Sequence, residues 1–212
     1  VYNELDTSQW ELLLSLLHKY GAKLTVGITA NWVERNGDCV PFDKKFPSEA
    51  SIIREGEKDG LLEIANHGFC HCVLENQAFL PRAFSSNRTF HREFWDWIPP
   101  DIQEEHIACS QEILHRIFTN DIVTFVPPGN VWTPTTERIA AKYGLKYLSS
   151  LEERSPTGKK SNDLIYVGGK VVLDFHDREI VRLGASGLEG LLQGLRERIF
   201  IKELGENLDK NG

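Results

Sequence analysis

Apolar residues recur along the chain either at helical spacing or in short continuous runs, and the two patterns alternate. In residues 8–21 an apolar stripe follows the capping-box pattern of Ser8 and Glu11 and ends at Gly21, which predicts a helix. The same criteria predict further helices at 48–58, 101–118 and 134–143, and from 186 onward. Short apolar runs predict strands at 23–29, 61–65, 122–126, 145–149, 164–167 and 170–175.

Alternating strands and helices predict an α/β fold in which helices cover a parallel sheet, either a barrel or an open sheet. Barrel enzymes collect their chemistry at the carboxyl ends of strands, and this chain places polar residues there. We therefore favour a distorted (β/α) barrel of about seven strands. Residues 1–212 are expected to form one domain, with 205–212 as a flexible tail. The irregular, aromatic-rich stretch 72–100 is typical of a functional loop or lid.

Composition narrows the classes of partner. The chain has 24 basic and 31 acidic residues, a net charge of -7, and its basic residues form no cluster, which argues against binding to nucleic acid. No run approaches the roughly 20 apolar residues of a transmembrane helix. The sequence pattern does not determine the oligomeric state.

The four cysteines Cys39, Cys70, Cys72 and Cys109 are too few and too scattered for a disulfide framework. Cys70 and Cys72 flank a histidine, but their spacing differs from the usual Cys-x-x-Cys of zinc sites. We expect free thiols.

Two histidines stand where the strand predicted at 61–65 ends. His67 and His71 are four positions apart, a spacing that in a helical turn brings both imidazoles to one side, where they can bind one metal ion. Such a pair alone is more often incidental than ligating. Its position at a strand end favours metal binding.

Two further predicted strands end in polar or turn-forming residues. The strand at 122–126 is followed by Pro127, Pro128, Gly129 and Asn130, and the run 171–175 by His176. The prolines and the glycine are compatible with a simple rigid turn, and His176 with a structural histidine beside Asp174 or Asp177. With the end at His67, three predicted strands end in polar or turn-forming residues, which suggests that they form one active site.

Together these segments resemble the polysaccharide deacetylase family, in particular carbohydrate esterase family 4, which consists of metal-dependent amide and ester hydrolases on a distorted (β/α) barrel. Residues 66–71 (Asn-His-Gly-Phe-Cys-His) are similar to its metal motif, and 125–130 (Phe-Val-Pro-Pro-Gly-Asn) to a groove-wall motif. Residues 144–149 resemble a Gly-x-x-Tyr-x-Ser pattern, and 173–176 a late Leu-x-x-His. The motifs occur in the family's order across most of the chain.

The departures from the family indicate a divergent branch. The family's first strand ends in an Asp-Asp pair that supplies the general base and the third metal ligand, and we expect this strand and pair to lie upstream of Val1. Glu4 or Asp6 is the alternative source of a carboxylate. Val126 stands where an Arg often precedes the double proline, and an Asp-Trp motif has no clear counterpart in 150–163.

The resemblance implies a metal-dependent deacetylase that removes an acyl group from an amino sugar or related amide, with a carbohydrate or other N-acylated substrate. His67 and His71 would bind a divalent metal. Zinc is the first candidate, and cobalt, nickel or iron would accept the same ligands. His176 would be the catalytic acid. Substrate contacts are expected from Pro127, Pro128, Gly129, Asn130 and Trp132. The alternatives are an inactive carbohydrate-binding barrel and a cyclic-amide hydrolase on the same fold.

Overall fold

Helices and strands alternate along the protein, as expected for an α/β fold. The computed structural model describes residues 6–34, 37–72, 92–151, 163–168, 172–195 and 198–211. The helices are α1 (Thr7–Tyr20), α2 (Phe42–Lys45), α3 (Pro47–Lys58), α4 (Pro100–Ile117), α5 (Pro134–Lys142), α6 (Asp177–Gly194) and α7 (Ile201–Asn211). The strands are β1 (Leu24–Ile28), β2 (Asn31–Val33), β3 (Cys39–Pro41), β4 (Leu62–Asn66), β5 (Thr124–Phe125), β6 (Tyr147–Leu148) and β7 (Ile165–Tyr166).

Five of the strands form one parallel sheet in the order β1-β4-β5-β6-β7. Because the strands are parallel, their carboxyl ends meet at one edge, where ligands bind in such sheets. The α/β class and the parallel sheet are confirmed. Among the described strands the sheet stays open, with β1 and β7 at its two ends, so it does not close into a barrel here. A small antiparallel pair, β2 and β3, follows β1.

Helix α1 packs its apolar stripe into the core. Trp10, Leu13 and Leu17 are each 2% exposed, as their spacing predicts. The capping box, however, is formed by Asp6 and Gln9 and not by Ser8 and Glu11. Asp6 precedes the helix in an extended conformation and accepts a hydrogen bond from the Gln9 N–H, so the helix begins before Ser8.

The carboxyl-terminal third differs most from the predictions. Residues 172–175 of the strand expected at 170–175 have no regular structure, and Leu173 is half exposed, because no neighbouring strand pairs with them among the described residues. Helix α6 already begins at Asp177. Gly184 interrupts it with a φ of 60°, a left-handed conformation that glycine adopts readily.

Residues 205–211 of the tail expected at 205–212 belong to helix α7. Gly205 lies against the Tyr147 ring so closely that an added Cβ would come 2.3 Å from a ring carbon. This contact and those with β7 hold the helix on the sheet. None of the helices that the structure describes is long and apolar enough to cross a membrane.

A buried carboxyl group, Glu63 in β4, joins α7 to the sheet. Its oxygens accept hydrogen bonds from the Thr25 hydroxyl at 2.6 Å, from the Thr124 hydroxyl, and from the Lys202 N–H at 3.2 Å. The last contact satisfies an N–H in the first turn of α7. Burial raises the pKa of Glu63 above its ordinary 4.5, although the hydrogen bonds from Thr124 and Thr25 oppose the change.

Because the pKa of Glu63 is raised on folding, the free energy of unfolding depends on pH through this residue. Because the pKa is higher in the folded chain, the contribution of Glu63 is complete below about 4.5 and is lost as pH rises through the raised pKa. Glu63→Gln should lack this fall, so its stability relative to the parent should rise as the pH increases above about 4.5. Urea unfolding at several pH values checks this. Parallel stability profiles would contradict it.

Candidate functional site

The carboxyl ends of β1, β4 and β5 bring the first two motifs to one edge of the sheet. The parallel ladder extends just beyond the strands, since the His67 N–H donates to the Ile28 carbonyl at 3.0 Å and the Val126 N–H to the Asn66 carbonyl at 2.9 Å. His67 and the segment starting at Val126 therefore leave adjacent strands side by side. This edge carries the candidate site.

The His67 ring is held in one orientation and one tautomer. Its Nδ1 lies 2.6 Å from the Val126 carbonyl oxygen, which can only accept, so Nδ1 carries the proton and Nε2 keeps its lone pair. Gly27 lies beneath the ring, where an added Cβ would be 3.4 Å from the His67 Cβ. Burial, and then the neighbouring His71, hold the pKa of His67 well below its ordinary value, with a smaller effect from His176. A neutral imidazole with a free Nε2 suits a metal ligand.

His71 returns to the same side as His67 by an irregular turn. The two ring centroids are 5.0 Å apart and the rings make an angle of 62°. The turn is not helical, contrary to the spacing argument: Gly68 has a φ of 78° and His71 a φ of 56°. The two imidazoles meet because the backbone reverses at these left-handed residues.

Asn66 fastens the end of β4 to helix α4. Its side-chain nitrogen donates to the Ser110 hydroxyl at 2.8 Å and to the Gln111 side-chain oxygen at 3.0 Å, and its own oxygen accepts from the Gly68 N–H at 2.8 Å. All of these side chains are buried. Asn66 thus fixes the start of the turn between His67 and His71 by its bonds to α4 and to Gly68.

Glu93, which the sequence analysis did not single out, lies under the same turn. Its carboxylate accepts hydrogen bonds from the N–H groups of Phe69, Cys70 and His71 at 2.9, 3.2 and 2.6 Å. The Nδ1 of His106, a residue of α4, lies 2.6 Å from Glu93 Oε2. Glu93 is 1% exposed and His106 5%. The one sign in the sequence of a buried role for Glu93 was the position of this acidic residue beside the apolar Phe94 and Trp95.

Cys70, Glu93 and His106 also form a buried cluster whose potential ligand atoms lie within 4.8 Å of one another, close enough to share a metal ion. The Cys70 thiol donates to the Cys72 carbonyl at 3.2 Å, and burial raises the pKa of Cys70 well above its ordinary value. All four cysteines are free, as expected. The described residues thus offer two candidate metal groups, this cluster and the His67–His71 pair.

The Pro127–Asn130 segment packs directly on the histidine turn. A Cβ added to Gly68 would lie 2.7 Å from Pro128 Cγ and 2.4 Å from a Glu93 carboxylate oxygen, so only a glycine fits between them. Pro128–Asn130 forms a single 3-10 turn, and Gly129 lies against the Arg92 side chain. The structure therefore brings this motif next to His67.

Asn130 and Trp132 are occupied by contacts within the protein. Asn130 Oδ1 accepts hydrogen bonds from the Ser150 hydroxyl and the Leu151 N–H, both at 3.0 Å. Trp132 has no exposed area; its ring stacks on Tyr166 at 6.3 Å and its Nε1 donates to Glu137 at 3.0 Å. Trp132 thus packs behind the wall from the core side, and its contact with a substrate stays a prediction.

His176 and Asp6 occupy helix starts. His176 precedes α6; its side chain is 61% exposed, and its Nδ1 lies 3.3 Å from a Glu179 carboxylate oxygen. Its influence on the pKa of His67 places it within electrostatic reach of that ring. Asp6 caps α1, and hydrogen bonds from Ser8 and Gln9 lower its pKa. Glu4 lies outside the described residues.

Comparison with known proteins gives one family. The model of the family described as polysaccharide deacetylase matches residues 2–148. No curated protein matches the chain.

Solved structures resemble the fold at low sequence identity. The Xyl-CE4 domain of a multidomain xylanase from the hindgut metagenome of Trinervitermes trinervoides is 14% identical with a TM-score of 0.53, covering 97% of this chain and 87% of its own. A CE4 family pseudoenzyme from Bacillus anthracis is 10% identical with a TM-score of 0.51, covering 95% and 58%. A family 4 acetyl xylan esterase from Clostridium thermocellum, in complex with a cobalt ion, is 19% identical with a TM-score of 0.44; the match covers 70% of this chain and 54% of that one, about half its length.

Proposed function

Because the chain belongs to the polysaccharide deacetylase family, we propose that it is a metal-dependent hydrolase that removes an acyl group, such as acetyl, from an amino sugar or a related amide. One observation carries the proposal: the Val126 carbonyl fixes the tautomer of His67 so that its Nε2 is free beside the ring of His71. Histidine Nε2 atoms oriented in this way are typical metal ligands.

The donor set fits a divalent metal. Two imidazoles on one side of a rigid turn suit zinc, and cobalt, nickel or iron accept the same nitrogen ligands. When bound, such an ion supplies Lewis acidity for the attack of water on an acyl carbonyl. The low pKa of His67 keeps its ring unprotonated and available near neutral pH.

The protein's own residues supply orientation and a proton. Pro128 and Gly68 are packed together and form a rigid wall beside His67, against which an acyl group can be positioned. His176 is exposed and within electrostatic reach of His67. We assign to it the protonation of the departing amine, a role suited to imidazole because this group exchanges protons near neutral pH.

A second candidate function is carbohydrate binding without catalysis. Within the described part of the chain, no third His, Cys, Asp or Glu side chain joins His67 and His71 in a three-ligand cluster. Asp6 is engaged in capping α1. A pair of imidazoles without a carboxylate would lack the general base, and such a protein would bind acylated sugars without hydrolysing them.

Metal removal and a substrate panel test the proposal. Protein stripped with a chelator is expected to lose hydrolysis of acetylated amino sugars and to regain it with zinc or cobalt, because the ion supplies the Lewis acid. The panel includes cyclic amides, whose preferential hydrolysis would indicate the other reaction. Binding of acetylated sugars without any metal-dependent turnover would contradict the proposal and support the carbohydrate-binding alternative.

A further inference from the structure

The Glu93 carboxylate is the point at which the His67–His71 turn is held from inside the protein. Three successive N–H groups, those of Phe69, Cys70 and His71, converge on its two oxygens. Successive N–H groups that point to one place form a concave anion site, and here a side chain of the same protein fills it. The shortest of these contacts, at 2.6 Å, is made by His71 itself.

The turn has a conformation that requires support. His71 has a φ of 56°, a left-handed value that residues other than glycine rarely adopt. Such residues persist where the surrounding structure holds them, and they cluster at functional sites. The bond from the His71 N–H to Glu93 fixes the peptide from which the His71 ring projects.

His106 completes the set of donors around the carboxylate. Its Nδ1 donates to Glu93 Oε2 at 2.6 Å, and its ring lies against that of Phe69 with the centroids 5.2 Å apart. His106 belongs to α4, the helix to which Asn66 is also bound. The helix therefore anchors both the beginning of the turn and the carboxylate beneath it.

The number of donors distinguishes a positioning role from a ligand role. The two oxygens of a carboxylate accept about four hydrogen bonds, and Glu93 receives four, from three N–H groups and His106. No acceptor site remains for an ion unless one of these bonds breaks. This favours the His67–His71 pair over the buried cluster of Cys70, Glu93 and His106.

We infer that Glu93 and His106 are positioning residues: they hold His71 in the geometry in which it binds the metal, and they are not themselves ligands. The inference rests on the proposed function in that the metal lies at His67 and His71. Side chains that orient a ligand in this way typically change metal affinity by about 10- to 100-fold when they are replaced.

The test compares two buried carboxylates that accept backbone hydrogen bonds. Glu57, 2% exposed, accepts the N–H groups of Thr119 and Asn120. It lies at the end of α3, before β4 begins, and so near the amino-terminal end of β4, whereas His67 follows the carboxyl-terminal end of that strand. Glu57→Gln is therefore a matched control for Glu93→Gln. Both variants and the parent are titrated with cobalt, followed by visible absorption, and their amide hydrogen exchange is measured.

Glu93→Gln should bind cobalt about 10- to 100-fold more weakly, and the amides of Phe69, Cys70 and His71 should exchange faster. Glu57→Gln should leave cobalt affinity and these three amides unchanged. If Glu93→Gln does not fold, two variants of His106 test the same inference. His106→Gln can still donate a hydrogen bond to Glu93 and should retain cobalt affinity. His106→Leu cannot donate this bond and should bind cobalt more weakly.

Three results would overturn the inference or separate it from the proposed function. Unchanged cobalt affinity and unchanged amide exchange in Glu93→Gln would overturn it. A thiolate-to-cobalt charge-transfer band that disappears in Cys70→Ser would also overturn it, because the ion would then lie in the buried cluster. A parent protein that binds no cobalt would contradict the proposed function, and amide exchange alone would then decide whether Glu93 holds the turn.

Discussion

Replacing His67 and His71 together by alanine is expected to abolish metal binding and to lower deacetylase turnover by about 10³-fold or more. Both rings project from one turn toward the same space, with centroids 5.0 Å apart. Their removal deletes the two proposed nitrogen ligands. Metal content after dialysis and hydrolysis of acetylated amino sugars are the measurements.

The matched control replaces two exposed histidines, His18 and His115, which lie near the ends of α1 and α4. This double variant also loses two imidazoles, so it reports any loss of adventitious metal, and it should keep both the bound ion and the activity. If the His67 and His71 variant retained its metal while remaining folded, the assignment of the ligands would be wrong.

The second large effect concerns His176. His176→Ala is expected to lower kcat on amides by about 10²- to 10⁴-fold and to leave metal content unchanged, because it removes the proton donor and no ligand. An activated ester has a leaving group that needs little protonation, so its hydrolysis should fall much less. Initial rates on a matched amide and ester pair measure the difference.

An equal loss on amide and ester would argue against the acid role of His176. Loss of the metal in His176→Ala would instead make this residue a ligand. Glu179→Gln serves as a companion variant: Glu179 contacts both the His176 N–H and its ring, at 2.7 and 3.3 Å, and should affect turnover only through the orientation of His176. Its effect should therefore be smaller than that of His176→Ala.

The strand ends that carry the site were predictable because local sequence determines them. An apolar run that stops at His67 must leave the sheet there, and the same holds for the run that stops before Pro127. Parallel strands then bring the two ends together. The alternation of helix and strand patterns was sufficient for the α/β class.

Other elements depend on contacts that local sequence does not contain. The run ending at Phe175 is as apolar as a strand, yet pairing with a neighbour decides whether such a run becomes one. Gly205 looks like a residue of a frayed tail until the Tyr147 ring is placed against it. A first helical segment from Asp177 precedes the helix predicted from residue 186, and the kink at Gly184 separates the two.

Glu93 and His106 were overlooked for the same reason. Glu93 is more than twenty positions from the turn that it binds, and its role arises from burial and from the donors that converge on it. His106 occupies a helix position that a structural histidine would equally fill. Sequence spacing identified the two candidate ligands, whereas only the tertiary structure shows what orients them.

The location of the bound ion tests the central claim most directly. Crystals of the protein loaded with zinc, with anomalous diffraction recorded on either side of the zinc absorption edge, would place the ion. We expect a single anomalous peak about 2.0 to 2.2 Å from a nitrogen of His67 and a nitrogen of His71. A peak among Cys70, Glu93 and His106, with the two rings of the pair unligated, would contradict the account.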